Sequence, residues 1–228
     1  MWTQKISLLL IALISATSAW PADSKTIVIT AFEPFDHQKQ NSSEPVARET
    51  AKRLEARGFT TRVCVLPTEY DRASKAALEC LDGLPNAKLM VSIGQGLCDI
   101  QIETQARNRD KSDVKDNAGE KRRRAREIIP GAPEYVPLTI DANFLYWQTR
   151  AGLKDNQLTV HTRVSTDAGS YVCNNTAYRV QTKLNMRTEK PKYVFVHVPK
   201  HSCMSPLNDM GKIADGLANG LEMVSRQP

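Results

Sequence analysis

Three short apolar runs constrain this chain more than anything else in it: Thr26-Ile27-Val28-Ile29-Thr30-Ala31, Leu89-Met90-Val91-Ser92-Ile93 and Tyr193-Val194-Phe195-Val196-His197-Val198. They are rich in β-branched residues and carry little strict apolar-polar alternation. That pattern belongs to strands covered on both faces, as in a sheet sandwiched between helices. The stretches between them support this. Pro45 to Arg57 places Val46, Thr50 and Leu54 at i, i+4 and i+8, with Ser43 as candidate cap and Gly58 as stop.

Thr60 to Leu66 reads as a second strand, Asp71 to Leu81 as a helix, and Gly94 ends the Leu89 run. Strand-helix alternation of this kind predicts right-handed crossovers and a mostly parallel, twisted sheet in a three-layer α/β/α sandwich. Further along, a helix is expected over Asp141 to Ala151 and a strand over Leu158 to Ser165. Asp167-Ala168-Gly169 then leads into a helix carrying Val172, Cys173, Thr176, Ala177, Val180 and Leu184 on one stripe. A closing helix from about Pro206 to Val224 presents Met210, Ile213, Leu217, Leu221 and Val224 to the sheet. Arg107 to Glu127 has no periodicity and reads as a long charged loop.

The first nineteen residues order Lys5, an apolar run from Ile6 to Ile14 and small residues ending at Ala19. This is the layout of a secretory leader cleaved after Ala19, and the run is short of the ~20 residues that span a bilayer. The expectation is an exported protein, periplasmic or secreted and not membrane-embedded, with residues 20–228 forming one domain. The formal net charge of +6 owes much to Lys121, Arg122, Arg123, Arg124 and Arg126. A basic run in an exported chain reads as a solvated loop rather than a nucleic-acid surface. Five cysteines, an odd number, leave at least one thiol free or paired between molecules, and their spacing matches no zinc pattern, so no metal is expected.

In an open parallel sheet, ligands gather beyond the carboxyl ends of the strands. On that rule Phe32, Phe35, Gln95, Cys173 and His197 fall at one edge. Cys173 lies in the first turn of its predicted helix, where unpaired N–H groups and the helix dipole favour an anion. A thiol nucleophile also needs a base. Of four histidines, His37 and His201 are in loops and His161 starts its strand, at the edge expected to be opposite. His197 remains.

Four blocks in order make the reading sharper: Ala31-Phe32-Glu33-Pro34-Phe35, Gly94-Gln95-Gly96 leading to Glu103 and Ala106-Arg107-Asn108, Asp167-Ala168-Gly169-Ser170-Tyr171-Val172-Cys173-Asn174, and Phe195-Val196-His197-Val198-Pro199. With Ile129-Pro130-Gly131 they make nearly all of residues 20–228 resemble the pyroglutamyl-peptidase I family, thiol peptidases that remove an amino-terminal pyroglutamate. The resemblance implies Cys173 as nucleophile, His197 as base and Glu103 as the carboxylate orienting the histidine. Read alone, Glu103 would be a solvated surface residue. The resemblance further implies Phe32, Phe35, Tyr171 and Gln95 around the lactam ring, no cofactor, and assembly into homo-oligomers. Asp113 stands where the family carries an arginine, with Arg107 or Arg109 as candidate replacements. Two other readings stay open: a binding protein on the same scaffold, and a thiol hydrolase of another small amide.

Overall fold

The structure, a computed structural model, describes residues 26–84, 86–155, 160–204 and 208–227; the expected leader at 1–19 lies outside the described residues. In chain order it contains β1 (Thr26–Phe32), α1 (Ser43–Ala56), β2 (Thr60–Leu66), α2 (Arg72–Leu81), β3 (Ala87–Gln95), β4 (Ile100–Glu103), β5 (Gln105–Arg107), β6 (Asp110–Ser112), β7 (Arg122–Arg126), β8 (Tyr135–Pro137), α3 (Ala142–Asp155), β9 (Thr162–Ser165), α4 (Val172–Asn185), β10 (Lys192–Val198) and α5 (Asn208–Ser225).

Six strands form the central sheet in the order β2-β1-β3-β10-β4-β9. The first four run parallel to one another. β4 lies antiparallel to β10, and β9 follows β4, so the sheet is mostly parallel with a reversed pair at one side. One face packs against α1, α3 and α5 through Ile27, Ile29, Val91, Val194, Leu217 and their neighbours. The other packs against α2 and α4 through Val28, Met90, Phe195, Ala177 and Val180. This is the three-layer sandwich the apolar runs predict. No helix among the described residues is long and apolar enough to cross a membrane.

Several local expectations are corrected. Ser43 does not cap α1 with its side chain. Its hydroxyl accepts the Phe32 N–H at 3.0 Å and donates to Asn41 Oδ1 at 2.8 Å, tying the end of β1 to the start of the helix. Gly58 does stop α1, at φ +84°, a left-handed conformation that disfavours side chains. The segment Arg107 to Glu127 is not featureless: β6 and β7 pair as a hairpin with Asp116 to Gly119 at its tip. Arg122, read as part of a solvated run, has a side chain only 2% exposed, whereas Arg123, Arg124 and Arg126 are exposed.

Reversal of β9 also corrects the edge assignment. Because β9 opposes β10, His161 sits beside Ile100 at the carboxyl edge of the parallel strands, not the opposite one. Its imidazole is exposed, 4.0 Å from Asp99.

Candidate active site

Strand β10 sends Tyr193, Phe195 and His197 toward α4 and Val194, Val196 and Val198 toward the opposite layer. β4 does the same beside it: Ile100 and Ile102 join the α1 side, leaving Gln101 and Glu103 on the side of His197. Phe195 faces Glu103 in the register, so Glu103 and His197 are diagonal neighbours on one face. The Glu103 carboxylate, fully buried, accepts the His197 Nδ1–H at 2.9 Å. That bond fixes the tautomer and leaves Nε2 for the Cys173 sulfur of α4, which interacts with the ring. Burial by itself would lower the His197 pKa, but the bonds to Cys173 and Glu103 outweigh it and raise it to about 10. The ring is therefore held as an imidazolium between the Cys173 sulfur and the Glu103 carboxylate.

The approach of these groups depends on two glycines. A Cβ at Gly94 would lie 2.8 Å from the Phe195 ring and 3.1 Å from Cys173 Sγ, and one at Gly96 would lie 2.9 Å from His197 Cβ. The backbone at the end of β3 and just beyond it thus runs directly against Cys173 and His197, and only glycine leaves the space.

Cys173 is the second residue of α4. Tyr171, at the N-cap, makes no side-chain capping bond, and the first turn carries no acidic residue. The first N–H groups of the helix, which have no intrahelical acceptor, lie beside the sulfur. Asn174 anchors this turn, accepting the Arg107 N–H at 2.8 Å and donating to the Arg107 and Arg109 carbonyls at 2.8 and 2.9 Å. The sequence carried it only as the last residue of the Asp167–Asn174 block, with no role of its own.

Cys173 and His197 open into a cavity of about 140 Å³. Phe32, Phe35, Gln95 and Tyr171 all line it. Phe35 and Tyr171 pack at a tilt of 41° with ring centroids 5.7 Å apart, and Phe32 leans on Phe195 at 6.1 Å. Asn41, Thr68 and the backbone-rich Ala168-Gly169-Ser170 complete the lining, and the sequence did not mark the first two. The Gln95 Oε1 accepts from the N–H and hydroxyl of Ser42 at 3.0 and 3.2 Å, and its Nε2 donates to exposed Gln38 at 2.8 Å. Asp113 is 86% exposed, 3.9 Å from Arg123, on an outer cleft rather than in this cavity. Neither Arg107, paired with Glu134 at 2.8 Å, nor Arg109 lines the cavity.

The remaining cysteines join in two disulfides, Cys64–Cys80 and Cys98–Cys203, and leave Cys173 alone as a free thiol.

The model of the family described as pyroglutamyl peptidase matches residues 25–206. The chain belongs to that family of cysteine peptidases. Among its relatives, a pyrrolidone-carboxylate peptidase of Bacillus cereus is 30% identical over 181 residues, covering 77% of this chain and 78% of that one. One from Thermosipho melanesiensis is 26% identical over 199 residues, 86% and 94% of the two chains. The fold likewise matches the crystal structure of pyroglutamyl peptidase I from Bacillus amyloliquefaciens with a TM-score of 0.75 at 20% identity, covering 90% of this chain and 96% of that one. Pyrrolidone carboxyl peptidase from Thermococcus litoralis matches at 0.70 and 22%, covering 87% and 93%.

Proposed function

We propose that this family member hydrolyses the amide bond after an amino-terminal pyroglutamyl residue, through a thioester on Cys173. The observation that carries the reading is the continuous line from the Glu103 carboxylate through the His197 imidazole to the Cys173 sulfur, ending in a small aromatic cavity. A pyroglutamyl ring is flat, uncharged and at the end of its chain. It fits between Phe32, Phe35 and Tyr171, while a cavity of about 140 Å³ excludes a peptide that continues beyond the ring.

In the first half-reaction the Cys173 thiolate attacks the carbonyl carbon, and the resulting oxyanion faces the first-turn N–H groups of α4. His197, positively charged at neutral pH, gives its Nε2 proton to the departing amine, and the C–N bond breaks to leave the thioester. Neutral His197 then takes a proton from water as it attacks the thioester, releasing pyroglutamate and the thiolate. Glu103 holds the Nδ1 proton throughout. Gln95 turns its Nε2 from Gln38 to the lactam carbonyl.

Export to the periplasm or beyond belongs to the same proposal. Its support is the leader-like order of residues 1–19 and two disulfides that take up every cysteine except the nucleophile, as an oxidising compartment requires. The reaction is tested with a pyroglutamyl-coumarin amide against its prolyl counterpart, which lacks the ring carbonyl. Turnover selective for the lactam and absent in Cys173→Ser is expected. Equal turnover of both, or an active Cys173→Ser, would overturn the reading.

A further inference from the structure

Arg122 is the one buried member of the basic run, and its environment is built rather than incidental. Its Nε donates to Glu120 at 2.9 Å, one terminal nitrogen bonds Asp110, and the other reaches Asp71 at 3.2 Å. Asp110 is fully buried and also accepts from Asn175 Nδ2 at 2.8 Å, two residues beyond Cys173. Asp71, held at φ +64°, is in turn paired with Arg179 of α4 at 2.8 Å. Three carboxylates thus fix the plane of one guanidinium.

That plane lies over the Tyr70 ring, with Cζ 3.7 Å from the centroid. Tyr70 meets Tyr171 edge to face at 5.4 Å, and Tyr171 is the cavity wall that packs against Phe35. Arg122 itself does not line the cavity. Guanidinium over ring, ring edge against ring, and ring against ligand form a stack in which each member restricts the next.

We infer that Arg122 is a positioning residue for substrate affinity: through Tyr70 it fixes the Tyr171 wall against which the lactam ring packs. The inference rests on the proposed function for the identity of the ring, but not for the rigidity of the wall. A residue that merely stabilised the hairpin would alter thermal stability and leave KM alone. Arg122→Lys keeps the charge among the three carboxylates but removes the flat stacking surface. Tyr70→Leu removes the ring and leaves the ion cluster intact.

In kinetics on the pyroglutamyl-coumarin amide, well below each variant's melting temperature, either substitution should raise KM roughly five- to tenfold with kcat within about twofold. The double variant should be little worse than either single one, because both interrupt one stack. Tyr70→Phe, which keeps the ring, should recover most of what Tyr70→Leu loses. Hydrogen exchange of the 168–172 segment should accelerate in Arg122→Lys and in Tyr70→Leu. Folded variants with wild-type KM, or a double variant whose KM is the product of the singles, would overturn the inference. If the wild type turns over no pyroglutamyl substrate, the proposed function fails by itself, and unchanged exchange at 168–172 would still sink the claim about Arg122.

Discussion

Replacing Glu103 with glutamine removes a charge while keeping the shape of a fully buried side chain. The lost interaction is one charge-assisted hydrogen bond at 2.9 Å to an imidazolium. Such a bond is worth about 1.5–3 kcal/mol, and at about 1.4 kcal/mol per pH unit its loss lowers the His197 pKa by roughly one to two units. In the wild type that pKa is raised to about 10, so the active imidazolium persists well above neutrality and is lost only as pH rises through that value. The alkaline limb of kcat/KM, which reports the free enzyme, therefore moves to lower pH in Glu103→Gln. The rate falls as well, because the amide can donate to Nδ1 and favour the wrong tautomer; a kcat loss of roughly 10² to 10⁴ is expected. KM should change little, since Glu103 does not line the cavity. The assay is a pH series on the pyroglutamyl-coumarin amide for both proteins. A kcat within threefold of wild type with an unmoved alkaline limb would refute the role given to Glu103.

Gly94→Ala places a methyl group 2.8 Å from the Phe195 ring and 3.1 Å from Cys173 Sγ; overpacking of this kind costs about 1–3 kcal/mol of stability, and kcat should drop more than the unfolding midpoint in urea suggests. A variant with wild-type kcat would show that the thiol tolerates displacement. The Cys98–Cys203 disulfide closes a sequence separation of 105 residues against 16 for Cys64–Cys80, so loop entropy predicts about 4–5 kcal/mol for the first and about 3 for the second. Paired Cys98→Ser and Cys203→Ser should therefore destabilise more in urea than paired Cys64→Ser and Cys80→Ser, and the reverse order would contradict the loop-closure argument.

The sandwich was legible because its central strands are apolar on both faces and its helices carry one apolar stripe, so local pattern and tertiary burial agree. Glu103 was not legible from its own surroundings. Ile100-Gln101-Ile102-Glu103 alternates like a half-exposed strand, yet all four are buried, because Gln101 and Glu103 face the site rather than solvent. Only the resemblance across four spaced blocks marked the carboxylate. Reversal of β4 and β9 was invisible for a related reason: strand direction is set by which partner a strand meets, and neither segment encodes that locally. Arg122 was hidden by its neighbours. Arg123, Arg124 and Arg126 are exposed as a charged run suggests, and the one inward residue is distinguished by carboxylates distant in sequence, Asp71 above all. Cys173 and His197 were placed correctly from helix start and strand end, although the strand preceding Cys173 runs opposite to expectation. The chain between Ser165 and Tyr171 brings the helix to the site.

With the other four cysteines in disulfides, the reactivity of this chain toward iodoacetamide is the reactivity of Cys173. The decisive measurement is alkylation of the unreduced protein, following residual pyroglutamyl-amide hydrolysis and the modified peptide together, with and without 2-pyrrolidone. A single modification at Cys173 is expected, with activity lost in proportion to it and both slowed by the lactam. Full modification of Cys173 with turnover retained, or modification that 2-pyrrolidone does not slow, would contradict that expectation.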